Sequence, residues 1–368
     1  MRIYTRMVRP LLFRFDPEWI HDRAIAAAEF AGRLTPIRKA LAWGCEFRHP
    51  MLETTVCGLQ FVNPLGLAAG FDKSGRAAQI LSCLGFGHLE IGSVSADPSA
   101  GNPKPRLWRL PCDRGILVHY GLPNDGAEAV ACRLGRVALS IPLGINIVKT
   151  NRGLDAPPEP DDKIILDYVR SVRILKDRAD YLNLNLSCPN TETGRDFFAD
   201  RANLARLLDA LRELDIRCPV FLKISPLAGV QAIEEILAVV ALASFVSGFV
   251  FNLAPGKPQG LRTPQSGITA LPGAVSGKPI EEQMNAAISE LYRRMDRHRY
   301  RIIGIGGVFS AEDAYRKIQL GSSLVQLMTS LIYEGPMVIR RINKGLCQLL
   351  KRDGFRHVSE AVGSAHPV

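Results

Sequence analysis

From residue 60 onward the chain keeps one rhythm, a short β-rich apolar run followed by a stretch with helical periodicity. The runs are "PLGLAAG" at 64–70, "HLEIGSV" at 88–94, "PLGINIV" at 142–148 and "YLNLNLS" at 181–187. Four more follow, "VFLKIS" at 220–225, "GFVFNL" at 248–253, "RIIGIGG" at 301–307 and "SLVQLMT" at 323–329. Stretches such as 201–214 and 311–320 between them read as helices. Eight strands alternating with helices predict an α/β fold, a parallel (β/α)8 TIM barrel, with a doubly wound open sheet as the competitor. Long insertions follow strand 2 (about 95–140) and strand 6 (about 254–300). In a barrel both sit on the C-terminal rim, where long loops carry function.

The first fifty residues have another character. Arg2, Arg6, Arg9 and Arg14 come before any acid. Asp16-Pro17-Glu18 opens a helix, with Asp as N-cap and Pro in the first turn. Trp19, Ile20, Ala24, Ala27, Ala28 and Ala31 form its apolar stripe, and Gly32 ends it. A second helix, 36–43, carries Ile37, Ala40, Leu41 and Trp43. Residues 1–45 therefore read as an amphipathic helical hairpin, lying in a membrane interface or packed on the main domain. Residues 46–368 form the barrel.

Composition narrows the function. The 368 residues carry a formal net charge of +10, which suits nucleic acid, acidic lipid or an anionic substrate. No aromatic-and-basic interleaving or nucleic-acid module is present, so nucleic acid is not an expected partner. No apolar run approaches the ~20 residues of a spanning helix. The eight cysteines are scattered, without a Cys-x-x-Cys pair or a neighbouring histidine. Neither a disulfide framework nor a metal site is expected, and the cysteines suit a reduced, cytoplasmic-side location. The N-terminus breaks its apolar runs with Arg and Pro and does not read as a secretory signal.

The chemistry collects at the strand ends. Strand 1 leads to Ala69, Gly70 and Lys73, strand 2 to Ser93, strand 3 to Asn146, and strand 4 to Asn185, Ser187 and Cys188. Strand 5 carries Lys223, strand 6 Asn252, strand 7 Gly306-Gly307 and strand 8 Thr329. Buried amides and ammonium groups need partners, and so many together point to a cofactor or polar ligand. Gly304-Ile305-Gly306-Gly307 and "LMTS" suit a phosphate held by backbone amides after the last two strands. Lys223 stands alone in an apolar strand and needs an anionic partner, such as a reduced flavin, unless it snorkels to the rim.

Several motifs carry a specific resemblance. "NPLGLAAGFDKSG", "LEIGSV", "GNPKPRLWRLP", "LNLNLSCPNT", "VSGKPI", "IIGIGGVFSAEDAYRKIQLGSSLVQLMT" and "GFRHVSEAVGSAH" resemble the class 2, membrane-associated, quinone-linked dihydroorotate dehydrogenases. The likeness runs over nearly the whole chain and includes the "DPEWIHDRA" helix. It implies a barrel that binds FMN, takes a proton from C5 and a hydride from C6 of dihydroorotate, and passes electrons to a quinone. It also implies peripheral attachment to the cytoplasmic side of a membrane. By resemblance, FMN is held by Ala69, Gly70, Ser93, Asn146, Asn185, Lys223, Phe251, Gly277, Gly306, Gly307, Met328 and Thr329. Lys73, Asn185, Asn190 and Asn252 face the substrate, Cys188 and Lys223 are catalytic, and Arg109 and His21 line the quinone entrance.

The departures from that family's pattern are concentrated. "VHYGLPN" puts Val118 where an Asn binds the pyrimidine, and Leu122 where an aromatic serves the proton relay. Leu253 stands where a Thr follows the strand 6 Asn. Cys188 replaces the usual Ser base, and a thiol with a reference pKa of about 8.5 needs less help to accept a proton. His119 is either a new binding or acid–base group or a structural one. Two alternatives stay open, an FMN oxidoreductase of the same fold acting on a less polar dihydropyrimidine or carbonyl compound, and a non-catalytic flavin-binding protein of the membrane surface.

Overall fold

A computed structural model describes residues 3–153, 155–187 and 197–366. All eight predicted runs are strands: strand 1 Leu65–Leu67, strand 2 His88–Val94, strand 3 Leu143–Ile147, strand 4 Tyr181–Asn185, strand 5 Val220–Ile224, strand 6 Val246–Phe251, strand 7 Arg301–Gly304 and strand 8 Ser322–Leu327. They pair in parallel in chain order and close into a barrel. The closing seam sets Val325 opposite Leu65 and Leu327 opposite Leu67, which rules out the open sheet.

The period of two along each strand explains the mixed sequence of these runs. In strand 4, Leu182 and Leu184 join the apolar layer beneath the helices, while Tyr181 belongs to the barrel interior beside Phe221, Val250, Ile303 and Leu324. Asn183 and Asn185 share the parity of Tyr181 and are buried inside. Two glycines make room for large interior side chains. A Cβ at Gly66 would lie 2.0 Å from the His88 ring, and one at Gly144 would lie 2.1 Å from Tyr181. A hairpin of Thr54–Val56 and Leu59–Phe61, absent from the sequence reading, packs Val56 and Phe61 against the interior aromatic cluster. Its turn, Cys57-Gly58, has φ of 50° and 81°.

Helices form where their signals stand. Pro17–Gly32 starts as predicted, with Asp16 Oδ1 accepting the Trp19 N–H at 2.8 Å, and Thr35–Cys45 extends the predicted 36–43 at both ends. Ala311–Gln319 carries a capping box between Ser310 and Asp313. The hairpin packs Ile25, Ala28, Ala31, Leu41 and Cys45 onto the core and turns Phe30 and Trp43 outward, Trp43 being 88% exposed. Arg106, from the strand 2 insertion, holds Glu18 of the first helix at 2.9 Å. It also donates to Ala100 O and Asn102 O at 2.6 and 2.7 Å. Among the described residues no helix is long and apolar enough to cross a membrane.

Two features correct the sequence reading. A helical segment over residues 4–12 precedes the hairpin, anchored by Tyr4 OH donating to Ile332 O at 2.7 Å and Arg9 to Tyr333 O at 3.1 Å. The two long insertions are not simply loops. Leu107–Leu110 and Gly115–Val118 from the first, and Ala274–Gly277 from the second, form one antiparallel sheet on the rim. Such pairing joins segments far apart in the chain, so local periodicity gave no sign of it.

Candidate active site

The strand ends converge on one cavity at the C-terminal mouth of the barrel, with about 1260 Å³ of space between its walls, the open mouth included. Below its floor lies Glu90 of strand 2, fully buried. Its Oε1 accepts from Asn146 Nδ2 and Asn183 Nδ2 at 3.1 and 2.9 Å. Its Oε2 accepts from Gln326 Nε2 and Tyr181 OH at 2.9 and 3.3 Å. Lys223 Nζ stands 3.8 Å from Oε1. The protein itself therefore supplies an anionic partner for Lys223, and the snorkelling alternative fails because the side chain is buried. The sequence reading missed Glu90, although a carboxylate at an inward position of "HLEIGSV" is a legible signal.

A chain of hydrogen bonds climbs from Glu90 to the cavity. Ser93 Oγ donates to Asn146 Oδ1 at 2.5 Å, Asn185 Nδ2 donates to Ser93 Oγ at 3.3 Å, and Asn252 Nδ2 donates to Asn185 Oδ1 at 2.7 Å. Four strands thus fix one row of amides and hydroxyls. Gly277, Gly306 and Gly307 also line the cavity, with φ of 101°, 89° and 75°. A Cβ at Gly306 would come within 2.6 Å of Met284, and one at Gly307 within 2.4 Å of Glu281. Ser276 Oγ and Thr329 Oγ1 lie 3.1 Å apart beside this cradle.

Towards the N-terminal helices, Lys73 Nζ lies 3.2 Å from His21 Nε2 and 4.0 Å from the centroid of the Tyr120 ring. Burial, and then the Lys73 ammonium, push the His21 pKa down to about 3, so the imidazole is neutral and accepts from Lys73. Burial lowers the Lys73 pKa to about 8, against the opposing pull of Asp22 and Glu18. Lys73 is thus held by uncharged partners and keeps its charge for a ligand below that pH. Val118, Leu122, Pro123 and Leu253 form an apolar part of the wall.

Of the expected flavin contacts, Ala69, Gly70, Ser93, Asn185, Lys223, Phe251, Gly277, Gly306, Gly307, Met328 and Thr329 line the cavity. Asn146 sits behind Ser93 and acts through it. Lys73, Asn185, Asn252 and His21 also line it, whereas Arg109 does not. Arg109 donates to Phe13 O and Phe15 O at 3.4 and 2.8 Å and stacks on the Phe13 ring, so it clamps the N-terminal segment. His119 Nε2 pairs with Asn102 Nδ2 at 3.0 Å, off the cavity wall, which favours its structural reading. Cys188 and Asn190 lie outside the described residues. Tyr120, Ser276 and Gln326 line the site and were missed.

The family model for dihydroorotate dehydrogenase matches residues 51–350. The chain belongs to the dihydroorotate dehydrogenase family. It is 39% identical over 359 residues to the dihydroorotate dehydrogenase (quinone) of Mycobacterium sp. (strain KMS), covering 97% of this chain and 98% of that one. The corresponding protein of Natronomonas pharaonis is 36% identical over 358 residues, again covering 97% and 98%. The crystal structure of the Eimeria tenella dihydroorotate dehydrogenase in complex with ferulenol superposes with a TM-score of 0.82 at 29% identity, covering 96% of each chain.

Dihydroorotate dehydrogenases depend on a flavin, and the residues present fit one. The glycine cradle and two hydroxyls suit a phosphate, Lys223 and the amide row suit a polar ring edge, and Ala68, Ala69 and Met328 suit its faces. Gly307→Ala should therefore purify with most of its flavin lost, read as the ratio of 450 to 280 nm absorbance; a wild-type ratio would contradict the cradle. Binding of an anionic ligand such as orotate should hold steady below pH about 8 and weaken above it, as Lys73 loses its proton. Titrations monitored by flavin absorbance would show this, and Lys73→Met should bind weakly without that inflection. A wild-type profile that stays flat above pH 8 would remove Lys73 from ligand binding.

Proposed function

We propose that the protein binds FMN, oxidises dihydroorotate to orotate and passes the electrons to a quinone. The observation that carries this is the set of groups that share one cavity. Its wall carries a glycine cradle, Lys223 with the amide row, Lys73 beside His21 of the N-terminal helix, and the apolar Leu107, Ile116 and Ile332. FMN, when bound, supplies hydride acceptance and the onward delivery of electrons. Asn185 and Asn252 present fixed amides to the substrate ring, because each is already tied to its neighbour. Lys73 offers a positive charge suited to a carboxylate. Lys223, on the cavity wall, would offer its ammonium to the flavin ring.

Cys188 is the proposed base for the C5 proton and Asn190 a further substrate contact, on the strength of their places in "NLSCPNT". Leu107, Ile116 and Ile332, which line the cavity along with His21, suit an apolar quinone. Arg109 supports that entrance by holding the N-terminal segment rather than by facing the cavity. Outward-facing Phe30 and Trp43, with Arg33, Arg38 and Lys39 on the same hairpin, suit peripheral attachment to the cytoplasmic side of a membrane.

A second reading, an FMN oxidoreductase for a less polar dihydropyrimidine or carbonyl compound, draws on Val118, Leu122 and Leu253 in the cavity wall. Anaerobic mixing separates the two. Dihydroorotate should bleach the 450 nm flavin band of the wild type, and Cys188→Ala should bind orotate yet lose C5 proton exchange and at least about a hundredfold in bleaching rate. Bleaching by dihydrouracil and not by dihydroorotate would favour the second reading; bleaching by neither would leave a flavin-binding protein without this turnover. For the membrane face, Phe30→Ser with Trp43→Ser should lose most co-sedimentation with anionic lipid vesicles, and undiminished binding would overturn that attachment.

A further inference from the structure

Two lysines face the cavity, and their surroundings differ in one respect. Lys73 rests between an imidazole and a tyrosine ring, whereas Lys223 stands 3.8 Å from Glu90, with both side chains more than nine-tenths buried. Glu90 is not part of the cavity wall. It lies one layer below, where strands 3, 4 and 8 each send it a hydrogen bond and strand 5 sends it an ammonium. Every one of those groups donates, which leaves the carboxylate only the acceptor role of its charged form. The array also fixes Glu90 in place, because four bonds from three strands must break before it can move.

We propose that Glu90 is a positioning residue that anchors Lys223 at the flavin edge and cancels part of its charge, thereby lowering the flavin's reduction potential. This rests on the flavin reading of the cavity. Reduction by two electrons and one proton leaves the ring system with one more negative charge, which a facing ammonium stabilises. A carboxylate fixed behind that ammonium takes back part of the stabilisation, and with both side chains more than nine-tenths buried the effect is little screened by solvent. A lower potential favours the second half-reaction, in which the electrons leave for the acceptor. Glu90 thus sets how the driving force is divided between the two substrates, without touching either.

Equilibrium redox titration of the purified flavoprotein, followed by visible absorbance, tests this without any turnover. Glu90→Gln should raise the potential by about 30 mV or more, a tenfold change in the equilibrium ratio of a two-electron couple. Glu90→Asp, which keeps the charge, should stay close to wild type. A flavin-loaded Glu90→Gln with an unchanged or lower potential overturns the proposal. Should Glu90→Gln not fold, Tyr181→Phe removes one hydrogen bond from the carboxylate and keeps both charges, so its potential should fall; an unchanged or higher value overturns the proposal equally. A wild-type protein that cannot be loaded with flavin would instead refute the reading on which it rests.

Discussion

A carboxylate cut off from water must be surrounded by donors, and the barrel is arranged around meeting that demand for Glu90. Removing such a charge from solvent costs several kcal/mol unless the protein replaces the lost hydration. Asn146, Asn183, Tyr181, Gln326 and Lys223 do so from four strands, and they reach Glu90 only if the strands keep their register. A one-residue slip in any of them would point these groups at the helices and bring leucines inside. The cost of burying both charges offsets much of the attraction between Glu90 and Lys223, so their pairing adds little stability. It is better understood as a constraint that admits one alignment of the barrel and leaves an oriented row of polar groups at its mouth.

From that row the site follows. Asn146 is held by Glu90 and in turn orients Ser93, which fixes Asn185, which fixes Asn252. A ligand entering this cavity meets groups whose directions are already set, so little ordering is left to be done on binding. Another part of the wall is prepared by absence of side chains. Gly306 and Gly307 lie so close to Met284 and Glu281 that any Cβ would collide, and their positive φ values suit only glycine comfortably.

Among the contacts that tie the N-terminal helix to the barrel, two differ in kind. Glu18 and Arg106 form a buried ion pair with further hydrogen bonds from the arginine, a rigid anchor. His21, its imidazole uncharged, meets the Lys73 ammonium through a single hydrogen bond. The first holds the helix over the barrel, and the second brings a residue of the helix directly against a lysine of the cavity. The cavity and the N-terminal hairpin are therefore in physical contact through the His21 side chain.

Much of this was legible in the sequence. The alternation of apolar runs with helical stretches fixed the eight strands and their order, because buried parallel strands and amphipathic helices leave opposite periodicities. Polar residues in those runs marked the cavity, since a buried amide or ammonium needs a partner. Asp16-Pro17 marked a helix start through local capping chemistry alone. What the sequence could not decide was which distant groups meet. Glu90 as the partner of Lys223, the rim sheet joining two insertions, and the diversion of Arg109 to the N-terminal backbone all depend on contacts between segments far apart in the chain. Periodicity and capping are properties of neighbours and are written in the sequence; pairing across the barrel exists only once it has closed.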